Sequence, residues 1–158
     1  MPQIESHLEW CLRNKKGLVK TKPDINLAQA HLKKSEYNFS VLLLLEKQRI
    51  YDWALNVGFY AIYHCLLGIL AKYGYESRNQ SCTLSMLLKL IKEGKLILSK
   101  DLVLQFDTLE INPSSPTVRM ERETSTYGIG TSIDLQQIKR LKGLILDIQR
   151  ETIRVLGE

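Results

Sequence analysis

Residues 51–72 read YDWALNVGFYAIYHCLLGILAK. Apolar side chains recur there at helical spacing, and Gly74 stands just beyond as a C-terminal stop. Trp53, Val57, Ala61 and Leu67 form one apolar flank of that helix, and Leu66 and Leu70 another. Asp52, Asn56, Tyr60 and His64 fall at successive i, i+4 positions and make one slowly drifting polar stripe, with Tyr63 beside it. Such a stripe has two readings. It is either a solvated edge or a satisfied hydrogen-bond ladder, or else the lining of a cleft or subunit seam.

Working outward, the same period runs through most of the chain, and period-2 alternation is nearly absent. A short first helix is expected over Ile4–Asn14, then an extended basic stretch to Pro23. Asp24 is an N-cap for a long second helix whose inner face is expected to be Leu27, Ala30, Tyr37, Val41 and Leu44. That helix breaks near Gln48–Ile50. A loop over Tyr75–Cys82 leads to a fourth helix, Thr83–Lys92, closed by Gly94. Ser99 caps a fifth, Lys100–Glu110, and residues 112–116 (NPSSP) break it. The polar stretch Arg119–Thr131 either extends the fifth helix or lies as a loop over the bundle. A last helix runs from Ser132 to Leu156. Six helical segments with short connections predict an all-α, up-and-down bundle of four core helices with short flanking helices. One domain is expected over residues 1–158, with its core at about 20–156.

The chain has 158 residues, 44% hydrophobic and 25% charged, with 22 Lys+Arg against 17 Asp+Glu. That composition excludes a disordered chain, a collagen or a porin. A net charge of +5 permits a polyanionic partner without demanding one. The apolar runs Val41–Leu45 and Cys65–Ala71 are shorter than the roughly 20 residues of a membrane span. The first residues lack the signal-peptide pattern, so a cytoplasmic location without membrane partners is expected. Cys11, Cys65 and Cys82 are an odd number without short spacing. Neither a disulfide framework nor a Cys-rich zinc site is expected, the thiols are taken as reduced, and Cys65 reads as a small buried hydrophobe.

No phosphate loop, His-Glu-x-x-His, Cys-x-x-Cys or Gly-x-Ser-x-Gly occurs, and Gly128-Ile129-Gly130 lacks the third glycine of a dinucleotide fingerprint. His7, His31 and His64 lie on three elements with no carboxylate at ligand spacing, so neither metal ligands nor cofactors are expected. Any catalysis would be metal-free acid/base or electrostatic work.

The run Asp52–His64, its continuation through Gly74-Tyr75, the upstream Lys22-Pro23-Asp24 and the helix around His31–Tyr37 resemble the HEPN domains. These are the "higher eukaryotes and prokaryotes nucleotide-binding" helical bundles. The resemblance covers about residues 20–155. It implies four core helices and frequent homodimers. Many such proteins are metal-independent ribonucleases, often toxins paired with a minimal nucleotidyltransferase antitoxin, and others bind nucleotides or nucleic acid without cleaving. The ribonucleases carry Arg, four to six residues, then His. Here Arg122-Glu123-Thr124-Ser125-Thr126-Tyr127 keeps the spacing but ends in Tyr. Arg122 supplies a planar cation for phosphate. Tyr127, with an ordinary pKa near 10, is a poor base at pH 7 but can hydrogen-bond phosphate or stack on a base. A second Arg-led stretch, Arg78–Thr83, ends in Thr and reads first as a capped helix start after a turn.

The basic clusters are Arg13, Lys15, Lys16, Lys20 and Lys22, then Lys139, Arg140, Lys142, Arg150 and Arg154. Both read as solvated faces or as phosphate-attracting patches. The sequence therefore points to a homodimeric binder of RNA or nucleotide, of toxin–antitoxin or defence type. Its ribonuclease activity is expected to be weak or lost. Arg122 and Tyr127 are the residues of the degenerate catalytic motif. Arg119, Arg122, Tyr127, Arg78, Asp52, Asn56, Tyr60 and His64 are the candidate binding residues. The alternative is an interaction module that docks a minimal nucleotidyltransferase.

Overall fold

The apolar stretch at 51–72 becomes a helix that three others cover. A computed structural model describes residues 2–14, 16–107, 115–130 and 133–158. Its elements are α1 (Pro2–Arg13), β1 (Leu18–Lys20), α2 (Ile25–Lys47), α3 (Tyr51–Lys72), β2 (Tyr75–Ser77), α4 (Gln80–Lys92), α5 (Lys100–Phe106), α6 (Val118–Tyr127) and α7 (Leu135–Leu156). The fold is all-α, with two three-residue strands as its sheet among the described residues.

Side-chain contacts fix the helix directions. Gly68 on α3 stands against Ala28 on α2, and Gly58 against Leu42, so α2 and α3 run antiparallel. Lys72 donates to the Val155 carbonyl on α7, while Leu141 stands against Gly58, so α7 runs parallel to α3. Thr126 meets Asn56 and Arg122 lies over Phe59, so α6 is antiparallel to α3. In chain order, α2, α3, α6 and α7 therefore alternate down and up. Helix α1 packs on α4, at the side of this four-helix core.

The ends follow local chemistry. Asp24 accepts from the Leu27 amide and Ser99 from the Leu102 amide, each satisfying an orphan donor of a first turn. Asp134 and Gln137 form a reciprocal capping box at the start of α7. Arg49 (φ 60°) turns the chain between α2 and α3, and Gly74 (φ 84°) turns it out of α3. At Gly74 a Cβ would also stand 2.8 Å from the Thr21 carbonyl oxygen.

Several expectations need correction. The inner face of α2 is Ala28, Leu32, Ser35 and Leu42, about one residue round from the expected one, and Leu27, Tyr37 and Leu44 are exposed. Residues 41–45 are apolar on every side, so periodicity alone could not fix the phase. Ser35 is buried because Cys65 and the Gln149 amide both donate to its hydroxyl. The expected loop after Gly74 contains β2, which pairs antiparallel with β1 from the basic stretch, Val19 opposite Glu76. Helix α5 ends at Phe106. The expected continuation to Glu110 and most of the Pro-Ser-Ser-Pro breaker lie outside the described residues. The stretch from Arg119 is neither an extension nor a loop; it is α6, capped by Thr117. Helix α7 begins at Leu135, and the expected start at Ser132 is outside the described residues.

The expectation of reduced thiols is also overturned. Cys11 on α1 and Cys82 in the first turn of α4 form a disulfide, and Cys65 is the buried free cysteine. Helix α3 is long and apolar enough to cross a membrane, but 67% of its most apolar window is buried inside the bundle. It serves as the core helix.

Two predictions follow from packing. A Cβ built at Gly68 would lie 3.0 Å from the Ala28 carbonyl oxygen and 3.2 Å from the His31 Cβ. Backbone cannot yield as a side-chain tip can. Gly68→Ile is expected to lower unfolding free energy by about 1–3 kcal/mol in urea titration. An unchanged midpoint would show that α2 and α3 are not so closely apposed. The Cys11–Cys82 bridge spans 71 residues of sequence. Reduction is expected to lower stability by about 2–4 kcal/mol, read from the same titration with and without a reductant.

Candidate functional site

Helix α6 presents Arg122 and Thr126 to α3, because residues four apart share a face. The Arg122 guanidinium lies 4.4 Å over the Phe59 ring and 6.0 Å from the Tyr60 ring centre. Phe59 is fully buried and stacks on Phe106, which gives the cation a rigid floor. Arg122 is only 8% exposed, and its Nε has no hydrogen-bond partner among the described residues. The Glu123 carboxylate is 3.8 Å from its Nη2, too long for a hydrogen bond. A buried N–H left unpaired costs about 1–3 kcal/mol, so this donor is under-satisfied.

The other candidates separate. Arg119 gives its Nε to Asp107 at 2.7 Å and Nη1 to Glu123 at 3.0 Å. The Asp107 hydrogen bond, foremost, raises the Arg119 pKa above its ordinary value. Its charge is committed to this network, not offered to a phosphate beside Arg122. Tyr127 is the last residue of α6 and is 78% exposed. Five residues along a helix turn it roughly 140° from Arg122, so the Arg-x4-Tyr spacing does not bring the pair to one face. Arg78 follows β2, is exposed, and pairs loosely with Glu76 at 3.8 Å. From Asn56 to the end of α3 is already roughly 24 Å of helix, so Arg78 belongs to the far end of the molecule.

The polar stripe of α3 is divided. Asp52 is half-buried in the first turn. Asn56 accepts from the Thr126 hydroxyl at 3.2 Å, and Tyr60 rims the Arg122 guanidinium. His64 instead turns to α2, its Nδ1 3.0 Å from the Nδ1 of His31. One ring nitrogen must donate and the other accept, which requires at least one neutral ring. Burial pushes both pKa values below 6.5; His31 and Lys34 push His64 further down, and Glu76 partly offsets the shift at His31.

Arg122, Phe59, Tyr60, Asn56, Glu123 and Thr126 thus make one seam between α3 and α6. Phe59, Glu123 and Thr126 were missed by the sequence reading. The i, i+4 relation of Arg122 and Thr126 was the signal available for Thr126. A cleft of about 580 Å³ opens elsewhere, among α5, α6 and α7, with Glu121, Gln137 and Arg140 in its lining.

The model of the HEPN domain family matches residues 28–132, about two thirds of the chain. The chain belongs to the HEPN domain family. The matched span contains most of α2 and all of α3 and α6, and hence both halves of the seam. No curated protein matches the chain. HEPN membership gives the seam its frame, an all-α bundle. Its chemistry has to be argued from the residues.

The His31–His64 pair makes a pH prediction. Both folded pKa values lie below the unfolded value, so the unfolded state binds more protons on acidification. Stability is then complete above about pH 6.5 and falls as pH drops below it. His64→Gln is expected to reduce the difference in melting temperature between pH 7.5 and 5.5. An identical difference in both proteins would contradict the pairing.

Proposed function

We propose that this HEPN domain binds RNA or a nucleotide through phosphate at Arg122, with weak or lost metal-independent ribonuclease activity. The observation that carries this is the buried, unpartnered Nε of Arg122 on an aromatic floor. A phosphate oxygen is the acceptor such a guanidinium lacks, and a planar fork binds it more specifically than a lysine would. Tyr60 and the exposed Tyr127 supply rings on either side of the helix for bases to stack on.

Cleavage by 2′-hydroxyl attack also needs a proton acceptor and donor near neutral pKa. Tyr127 stands where the family's ribonucleases have histidine. The histidine on α3, His64, is engaged with His31 on α2. Arg122 could stabilise the developing charge, but the seam holds no histidine to move the proton at pH 7, and its carboxylate, Glu123, is engaged by Arg119. Binding without efficient turnover is the consequence. The toxin–antitoxin or defence setting and the homodimer belong to this same reading.

A second reading is a module that docks a minimal nucleotidyltransferase. Tyr127 and Ile129 favour it, since both project fully or nearly so into solvent at the end of α6. A nucleotide added to the Tyr127 hydroxyl would be seen by mass spectrometry after co-expression.

For the first reading, affinity for single-stranded RNA is measured by fluorescence anisotropy with wild type, Arg122→Ala and Arg122→Lys. Loss of a charge-assisted contact is expected to weaken binding at least about tenfold for Ala, corresponding to about 1.5–3 kcal/mol. Chelator-resistant cleavage should be slight or nil. Equal affinity in all three proteins would refute the role of Arg122. Rapid cleavage abolished by Arg122→Ala would refute the loss of activity.

A further inference from the structure

The disulfide has a third member. His7 lies one turn before Cys11 on α1, so the two share a face. Its Nε2 is 3.6 Å from the Cys11 Sγ and 3.1 Å from the Ser81 hydroxyl. A ring nitrogen of His7 and the sulfurs of Cys11 and Cys82 all lie within 4.8 Å of one another. The cysteines are fully buried, whereas His7 is half-exposed, so one side of the cluster opens to solvent.

These distances can be compared with a tetrahedral zinc ion. With Zn–S about 2.3 Å and Zn–N about 2.05 Å, a tetrahedral edge between sulfur and nitrogen is about 3.6 Å, and between two sulfurs about 3.8 Å. The His7–Cys11 edge already has that length. Once reduced, the two sulfurs are free to take up that separation across α1 and α4. The Ser81 hydroxyl gives its own hydrogen to the Asn79 carboxamide at 2.6 Å and so accepts from the same His7 Nε2. Zinc binding requires Nε2 to exchange that hydrogen bond for the metal, leaving Nδ1 as the ring's donor.

We propose that reduced Cys11 and Cys82, with His7, bind one Zn²⁺, so that this corner of the bundle is stapled by a disulfide when oxidised and by zinc when reduced. The sulfur-rich donor set suits zinc over magnesium or calcium. The fourth position is left to water. The exchange balances. A phosphine reductant and one water convert the disulfide to two thiols and a phosphine oxide. Zn²⁺ then displaces one proton from each thiol. Neither oxidation nor zinc binding involves Arg122, so the proposal stands apart from the reading of the α3–α6 seam. The sequence hides the site, because 71 residues separate its two cysteines and its histidine is on another element from Cys82.

The test uses the full chain, reduced with a phosphine and freed of metal, titrated with Co²⁺ and then Zn²⁺. One equivalent of Co²⁺ is expected to give thiolate-to-metal charge-transfer and tetrahedral d–d bands, which Zn²⁺ abolishes. Zn²⁺ should raise the melting temperature of the reduced chain and leave the oxidised chain unchanged. Cys82→Ser should lose the bands, His7→Ala should weaken binding at least about tenfold, and Cys65→Ser should bind as wild type. Circular dichroism verifies that each variant is folded. Absence of the bands in the folded reduced chain, or bands equally strong in Cys82→Ser, would overturn the site. So would equal binding by the oxidised chain.

Discussion

The burial of α3 is the constraint on which everything else depends. Its apolar residues point in too many directions for one neighbour to cover, so α2, α6 and α7 enclose it. Close approach is permitted by small residues at the crossings. Gly68 lies against the α2 backbone, and Gly58 lies against Leu42 and Leu141 from α2 and α7. Each leucine-sized side chain so buried contributes about 1.5–3 kcal/mol. The polar groups on α3 must then find partners within the bundle. Asn56 finds Thr126, Tyr63 finds Thr83, Cys65 finds Ser35 and His64 finds His31.

Among the described residues, Arg122 and the Ser85 hydroxyl are the exceptions to that satisfaction. Arg122 enters the α3–α6 seam along with the packing face of α6, and the aromatic pair Phe59 and Phe106 receives its plane. The neighbouring Arg119 shows the ordinary solution, a carboxylate on each side. Arg122 has Glu123 only at a distance, and that carboxylate is already engaged by Arg119. A guanidinium held desolvated with a donor to spare is prepared for an anion. The same packing keeps the chain's histidines away from it, which separates phosphate binding from proton transfer. Of the basic residues of α7, Lys142, Arg150 and Arg154 are already paired with Glu46, Asp147 and Glu151.

Much of the bundle was legible because its boundaries are set by local chemistry. Asp24, Ser99, Gly74 and Gly94 mark ends whose reasons lie within a few residues. What required tertiary information was not legible. The run at 41–45 is apolar all round and gives no phase, so the buried face of α2 depended on which neighbour arrived. The disulfide joins helices far apart in sequence. The Arg-x4-Tyr spacing matched a motif in one dimension. The helix brings Thr126 to the face of Arg122 and turns Tyr127 outward. HEPN membership was legible in the central helix, whereas the partners of each site residue were not.

The central claim is that the Nε–H of Arg122 awaits an anion. Nitrogen-15 NMR observes that group directly in the full chain. Titration with short single-stranded RNA should shift the Arg122 Nε–H resonance and slow its exchange with water, while Arg119, already paired, stays in place. A bound RNA that leaves the Arg122 resonance unmoved would contradict the account.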